Sequence, residues 1–473
     1  MCIRDRAYHA DMNFTMIRNW VGQIGDKEFY EACDRHGIMV WQDFWLANPV
    51  DGPNPYYTEM FNANACDYLK RIRNHPSIGI YVGRNEGNPP AGIDDYLRGL
   101  VFREHPGLYY ISNSAMGVVS GGGPYRALSP KSYFQSYGHD KFHSERGMPN
   151  VMNYESMLLT FGTDKIEPVN TSETPNPVYG LHDYTLGGGK GSSAQAASSF
   201  NDMIEKAFGR PRDAKQFAEW AQWINYDGYR AIFEGRSEHR RGMLLWMSHS
   251  AWPSMVWQTY DYYFDPNAAY FGCKKASEPL HIQWNPLRDD IEVVNYHAFD
   301  RTGLTATASL FNQDGTLQWT RETKLDIKED QTVACFPLEQ PETLSDTYFI
   351  KLSLTDSDGK QLSDNFYWRG KEDGNYKSLL QLPKVSVCKN VTVKKTGKEW
   401  LIRAVLKNEA RTPALMLRLK VAGEKSGRML LPVFYSDNYF SLLPGEVKEV
   451  DIRLYDADTY GEKPVLEVLG FNL

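Results

Sequence analysis

The chain has 473 residues, 42% hydrophobic and 13% aromatic, which is enough for more than one packed core and too apolar for a disordered chain. Its formal net charge is −7, with no block or stripe of Lys and Arg, so the clustered cations that a nucleic-acid partner requires are missing. No apolar run approaches the ~18 residues of a bilayer-spanning helix, and no membrane partner is expected.

Residues 1–6 (MCIRDR) look foreign to the rest of the chain and resemble translated sequencing-adapter sequence, so they are read as a non-native leader. The true start is then expected to be missing, together with any signal segment for a periplasmic or secreted location. From 13 to 283, short apolar runs alternate with helical patterns, the signature of parallel β/α units. Residues 14–20 (FTMIRNW) read as a strand. Residues 27–36 read as a helix with Phe29, Tyr30 and Cys33 on one face and Gly37 as its stop signal. Residues 38–44 form the next strand, and 57–74 a helix broken at His75-Pro76. Residues 78–82 form a buried strand ending at Gly83, while 108–112 and 141–144 are weaker strands. Helices near 194–208 and 215–233 precede a closing strand at 242–247.

After residue 284 the texture becomes period-two alternation, as at 291–296, 304–311, 347–354, 400–406 and 415–421. Turns such as Gln313-Asp314-Gly315 divide these runs. Two immunoglobulin-like β-sandwiches of ~90–100 residues are predicted, at 284–371 and 372–473. A (β/α)8 barrel needs ~250 residues, which 7–283 supplies. Nothing before Phe14 can serve as its first strand. The predicted fold is therefore multidomain: a (β/α)8 TIM barrel lacking its first strand, followed by two immunoglobulin-like β-sandwiches. The six cysteines are far apart, show no C-x-x-C spacing, and are read as isolated buried thiols.

In such barrels chemistry sits where the strands end. Glu86 follows IYVGRN and Glu145 follows KFHS, each at the end of a candidate strand. Two carboxylates facing one another across a rim are what glycoside cleavage requires, one as proton donor to the leaving oxygen and one at the anomeric carbon. Taken singly, each Glu could as well form a salt bridge or a helix-capping contact.

The segments NFTMIRNW, EFYEACDRHGIMVWQDFW, RNHPSIGIYVGRNEGNPP, FHSERGMP and the stretch from Ala251 to Trp284 resemble glycoside hydrolase family 2. Within it they are most similar to the branch of exo-β-glucosaminidases and plant-type endo-β-mannosidases. The resemblance implies Glu86 as acid/base and Glu145 as nucleophile of a retaining mechanism. It makes Asn85 the partner of the sugar 2-substituent, and Arg18 the cation that keeps the nucleophile ionised. Glu155 competes with Glu145 but falls in a helical stretch beyond the rim. Trp20, Trp41, Trp45, Trp246, Trp252 and Trp257 are candidates for a sugar platform, with Trp246 and Trp252 favoured because they flank the last strand's mouth. Asp43 and His139 are candidates for substrate hydroxyls, each with an ordinary structural role as the alternative.

The glycine-rich run 187–192 lacks the spacing of a phosphate loop, and the histidines show no metal spacing such as H-E-x-x-H. No cofactor and no metal are implied. The expected partners are a β-linked oligosaccharide or glycan and the missing N-terminal domains of the same polypeptide. The Asn85–Pro90 run follows the endo-mannosidase form, which favours a mannosyl linkage. An exo-β-glucosaminidase acting on chitosan-type oligosaccharides is the alternative. A fragment that is inactive, or binds glycans without cleaving them, is a third reading.

Overall fold

The computed structural model describes residues 2–50, 52–136, 141–186, 196–238 and 241–473. The chain divides into two units. One takes Met1–Pro124, His139–Gly147 and His239–Trp246; the other takes Tyr125–Gly138, Met148–Glu238 and Met247–Leu473. Among the described residues no helix is long and apolar enough to cross a membrane.

The first unit holds α1 (Cys2–Asp11), β1 (Met16–Asn19), α2 (Lys27–His36), β2 (Met39–Asp43), α3 (Thr58–Ile72), β3 (Ile78–Arg84), α4 (Ala91–Glu104) and β4 (Tyr109–Asn113). It also holds β5 (Val119–Ser120), β6 (Phe142–Arg146) and β7 (Met243–Leu245). All pairings are parallel, in the orders β1-β2-β3-β4 and β5-β6-β7. Side chains alternate along a strand, so each strand serves two cores. Met16, Trp41, Ile80, Val82, Ile111, Val119, Phe142 and Leu244, with at least one residue from every strand, meet in a single apolar cluster. On the other face Val40, Ile78 and Tyr81 pack against Phe29 and Cys33 of α2, Leu69 and Ile72 of α3, and Leu97 and Val101 of α4. This double burial explains why the strands read as continuous apolar runs.

Helix α2 follows from its stripe of Phe29, Tyr30 and Cys33. It ends because Gly37 adopts φ 66°, a left-handed cap whose amide donates to the Cys33 carbonyl. The presumed leader does not stand apart, since residues 2–6 continue into α1. The Arg6 guanidinium lies 4.6 Å from the centre of the Phe29 ring, beside Asp5. Arg6 is buried, yet its Nε and Nη1 have no hydrogen-bond partner, a poor fit for a core-facing position.

The second unit opens with α5 (Pro130–Gln135), α6 (Tyr154–Phe161), α7 (Pro177–Leu181), α8 (Ala196–Phe208), α9 (Ala214–Glu234) and α10 (Ala268–Ala276). The Asp213 side chain caps α9 by accepting from the Gln216 amide, and the helix is buried nearly all round. Antiparallel sheets follow. Strands β8 (Leu280–Asn285), β9 (Asp290–Asn295) and β12 (Gln331–Pro337) form one sheet. Strands β10 (Arg301–Asn312), β11 (Leu317–Ile327), β13 (Thr347–Thr355) and β14 (Gln361–Gly370) form the other. The two share a core that includes Ile282, Ile291, Leu310, Leu352 and Tyr367. The opening strand begins at Leu280, ahead of the expected 284, because 280–285 pairs with β9 in full register.

The last stretch forms β15 (Val387–Thr396), β16 (Glu399–Asn408), β17 (Ala414–Gly423), β18 (Phe434–Tyr435), β19 (Phe440–Leu442), β20 (Val447–Tyr455) and β21 (Pro464–Leu469). They lie in sheets ordered β15-β16-β20-β18 and β19-β17-β21. On β16, Ile402, Ala404 and Leu406 are buried while Leu401, Arg403 and Lys407 are exposed, the alternation expected of a one-sided sheet. Cys66, Cys273, Cys335 and Cys388 are free thiols. Cys33 and Cys273 are buried as expected, whereas Cys388 is exposed.

Candidate functional site

Parallel strands bring their C-terminal ends to one side of a sheet, and the first unit gathers its polar residues there. Arg18 is next to last on β1 and Asp43 is last on β2. Asn85 and Glu86 follow β3, Ser114 follows β4, and Glu145 is next to last on β6. Arg18 ties them together. Its Nη1 donates to Glu145 Oε1 at 2.6 Å and its Nη2 to Asn85 Oδ1 at 2.7 Å. Its Nε and Nη2 reach Asp43 Oδ2 at 3.0 and 2.7 Å, and its guanidinium carbon lies 5.7 Å from the Trp41 ring centre. Burial disfavours a charge here, but the Asp43 and Glu145 carboxylates outweigh it and raise the Arg18 pKa above its ordinary value.

Asp43 was expected to meet substrate hydroxyls. Instead it is fully buried and engaged on both oxygens, by Arg18 and the Val21 amide on Oδ2 and by Trp41 Nε1 on Oδ1. It is a support for Arg18.

The two candidate catalytic carboxylates differ in environment. Glu145 is buried against Arg18. Glu86 is half-buried and has no cation within ion-pair reach among the described residues. Its backbone is left-handed at φ 48°, uncommon for a residue with a side chain. The approach of β3 to β4 is just as demanding, since a Cβ at Gly83 would strike the Tyr110 hydroxyl. Beside Glu86 runs the glycine segment after β5, and a Cβ at Gly122 would lie 4.0 Å from Glu86 Oε1. His143 holds that segment, with Nε2 donating to the Gly123 carbonyl at 2.7 Å and Nδ1 accepting from the Ser120 hydroxyl at 2.7 Å. Ser114, His143 and Arg84 escaped sequence reasoning. Arg84 anchors the loop after β2 through the Ala47 carbonyl at 2.7 Å and Asn54 Oδ1 at 2.7 Å.

Of the tryptophans, Trp20 and Trp246 meet edge to face at 5.2 Å in the first unit, both half-buried. Trp252 belongs to the second unit, where it stacks on His182 and is 45% exposed. Trp41 lies in the strand interior and Trp257 is buried. Trp45 donates to the Gly22 carbonyl and packs on Phe61 and Tyr68. His139 and the glycine run 187–192 lie outside the described residues. No cluster of three or more potential metal ligands occurs among the described residues.

Glu155 lies in the second unit, in the first turn of α6. It pairs with Arg418 at 2.8 Å and Lys420 at 3.1 Å. Burial would raise its pKa, but those cations hold it down at about 2. Arg418 also reaches Asp265, whose neighbour Asp261 is fully buried, and burial together with the Asp265 carboxylate pushes Asp261 up to about 7. The folded state thus keeps a proton that the unfolded chain releases near pH 4. Stability linked to Asp261 is present below pH 4 and is lost as pH rises to about 7. Asp261→Asn should therefore stabilise the protein at pH 8 by on the order of 2 kcal/mol and have little effect at pH 4. Urea midpoints at the two pH values check this, and an equal shift at both would refute it.

The profile of the exo-beta-D-glucosaminidase Ig-fold domain matches residues 365–473, a range that takes in the last two sheets. The chain is 26% identical to a mannosylglycoprotein endo-beta-mannosidase of Lilium longiflorum over 99% of its length, covering 60% of that protein. It is 28% identical to an exo-beta-D-glucosaminidase of Streptomyces avermitilis over 99% of its length, covering 57% of that protein. The chain therefore spans little more than half of these relatives. The exo-chitosanase of Amycolatopsis orientalis shares its fold, with a TM-score of 0.88 at 24% identity over 100% of the chain and 60% of that structure. Over nearly its whole length the chain resembles the branch of glycoside hydrolase family 2 that holds the exo-β-D-glucosaminidases and mannosylglycoprotein endo-β-mannosidases.

Proposed function

We propose that the chain carries the catalytic centre of a retaining glycoside hydrolase acting on β-mannosides, with Glu145 as nucleophile and Glu86 as acid/base. The observation that carries this reading is the Arg18 fork joining Glu145 to Asn85, the residue beside Glu86, at the strand ends. A carboxylate held against a guanidinium stays anionic and nucleophilic, while an unpaired one can exchange a proton. Glu145 attacks the anomeric carbon as Glu86 protonates the departing oxygen, leaving a glycosyl ester on Glu145. Glu86 then takes a proton from water, which attacks the ester and frees Glu145.

The fold reading proposed alongside is a TIM barrel in 7–283 that lacks one strand, after a non-native leader at 1–6, then immunoglobulin-like sandwiches at 284–371 and 372–473. Seven parallel strands sharing one interior support it, as does the contact between β1 and β7 without strand pairing. The missing strand belongs between those two.

A mannosyl linkage is favoured by Asn85. Its Oδ1 accepts from Arg18 at 2.7 Å and from Ser114 at 3.3 Å, which leaves the Nδ2 hydrogens without a protein partner among the described residues. A site offering donors suits a 2-hydroxyl, which can accept, better than a 2-ammonium, which only donates. The glucosaminidase alternative draws on the Ig-fold profile match.

Aryl β-mannoside, β-glucosaminide and β-glucoside, assayed with the unsubstituted chain and Glu86→Gln, test both sugar and mechanism. The β-mannoside should be cleaved fastest. Glu86→Gln should slow glycosides with poor leaving groups by ~10²–10⁴-fold and activated aryl glycosides far less. Preferred turnover of the glucosaminide would exchange the sugar assignment. Glycan binding without turnover would support the binding-only reading, and neither would support an inactive fragment.

A further inference from the structure

We propose that Ser114 is a positioning residue for the acid/base, holding the 84–86 turn so that Glu86 faces the leaving group; this rests on the acid/base reading of Glu86. Ser114 is fully buried just past β4 and grips three consecutive residues. Its amide donates to the Arg84 carbonyl at 3.1 Å. Its hydroxyl accepts from the Glu86 amide at 3.0 Å and donates to Asn85 Oδ1 at 3.3 Å. One hydroxyl therefore meets both the backbone of the proton donor and the side chain facing the sugar 2-substituent.

The backbone needs such a hold. Glu86 sits at φ 48°, a conformation that persists for a residue with a Cβ only when its surroundings fix it. The Asn85 amide is held separately by the Leu46 carbonyl at 3.0 Å. With Ser114 Oγ removed, the Glu86 amide loses its acceptor and the residue can relax toward right-handed φ, swinging its Cβ and carboxylate. Glu145 keeps Arg18 in either case, so attack at the anomeric carbon is spared while protonation of the departing oxygen suffers.

This makes a distinctive kinetic signature. Ser114→Ala should lower kcat for methyl β-mannoside by roughly 10²-fold, as expected for a proton donor displaced by about an ångström. It should change kcat for dinitrophenyl β-mannoside, whose leaving group needs no proton, by less than about threefold. Ser114→Cys fills the volume with a poor acceptor and should behave like Ser114→Ala. Equal losses on both substrates, or a wild-type leaving-group profile in Ser114→Cys, would overturn the proposal.

Glu86→Gln run in parallel separates the two readings. If it shows no leaving-group dependence, the acid/base assignment fails. If it does and Ser114→Ala does not, the positioning role fails. Hydrogen exchange gives a readout that needs no turnover: the Glu86 amide should lose at least tenfold protection in Ser114→Ala while the β3 amides keep theirs. Unchanged protection at Glu86 would overturn the clamp.

Discussion

Under the proposed retaining mechanism, Glu145→Gln is expected to lower kcat by on the order of 10⁵-fold, because a neutral amide cannot form the glycosyl ester that this mechanism requires. The fold should tolerate the change. Glutamine has the volume of glutamate, its Oε1 can still accept from Arg18 Nη1, and Arg18 keeps Asp43 and Asn85 as partners. The loss should be seen equally with good and poor leaving groups, in contrast to Glu86→Gln. Incubation with a dinitrophenyl 2-fluoro-mannoside should leave a covalent adduct on the unsubstituted chain that peptide mass spectrometry maps to Glu145. Glu145→Gln should show none. An adduct on Glu155 would sink the assignment, although that residue is committed to Arg418 and Lys420.

Much of the first unit was legible because its physics is local. The strands at 14–20, 38–44 and 78–82 announced themselves as apolar runs, and the structure places them at Met16–Asn19, Met39–Asp43 and Ile78–Arg84. Buried on both faces, such strands leave little room for polar residues, so the polar residue at each end stands out. That is why Arg18, Asp43, Asn85, Glu86 and Glu145 could all be picked. Helix α4 was overlooked although Ile93, Leu97, Leu100 and Val101 carry its buried stripe. Gly87, Pro89 and Pro90 stand directly before it and interrupt a helical pattern. Strand β5 is two residues long, too short for any periodicity. Ser114 could not have been found, since a serine in a loop gains meaning only when folding brings Asn85 and Glu86 to it from 28 or 29 positions away. Trp252 was picked for its closeness in sequence to the last strand, and the chain passes into the second unit after Trp246.

Arg18→Met is expected to be the most destabilising substitution in the first unit, by about 3–5 kcal/mol, the usual cost of stripping one partner from a buried ion pair. Methionine fills much of the same volume and can still lie on Trp41, so packing is not the main loss. The loss is electrostatic. Asp43 and Glu145 are both buried and would be left without their shared cation. The penalty should shrink when Asp43→Asn is added, because that removes one stranded anion. A double-substitution cycle would then give a favourable coupling between positions 18 and 43. Arg18→Lys is a sharper test of function than of stability. Lysine keeps a positive charge but has no planar fork, so it cannot hold Asp43, Asn85 and Glu145 in one geometry. Thermal unfolding should recover much of the deficit in Arg18→Lys while kcat does not. If activity recovered together with stability, the fork would matter only as a charge, and its role in aligning Asn85 with Glu145 would have to be given up.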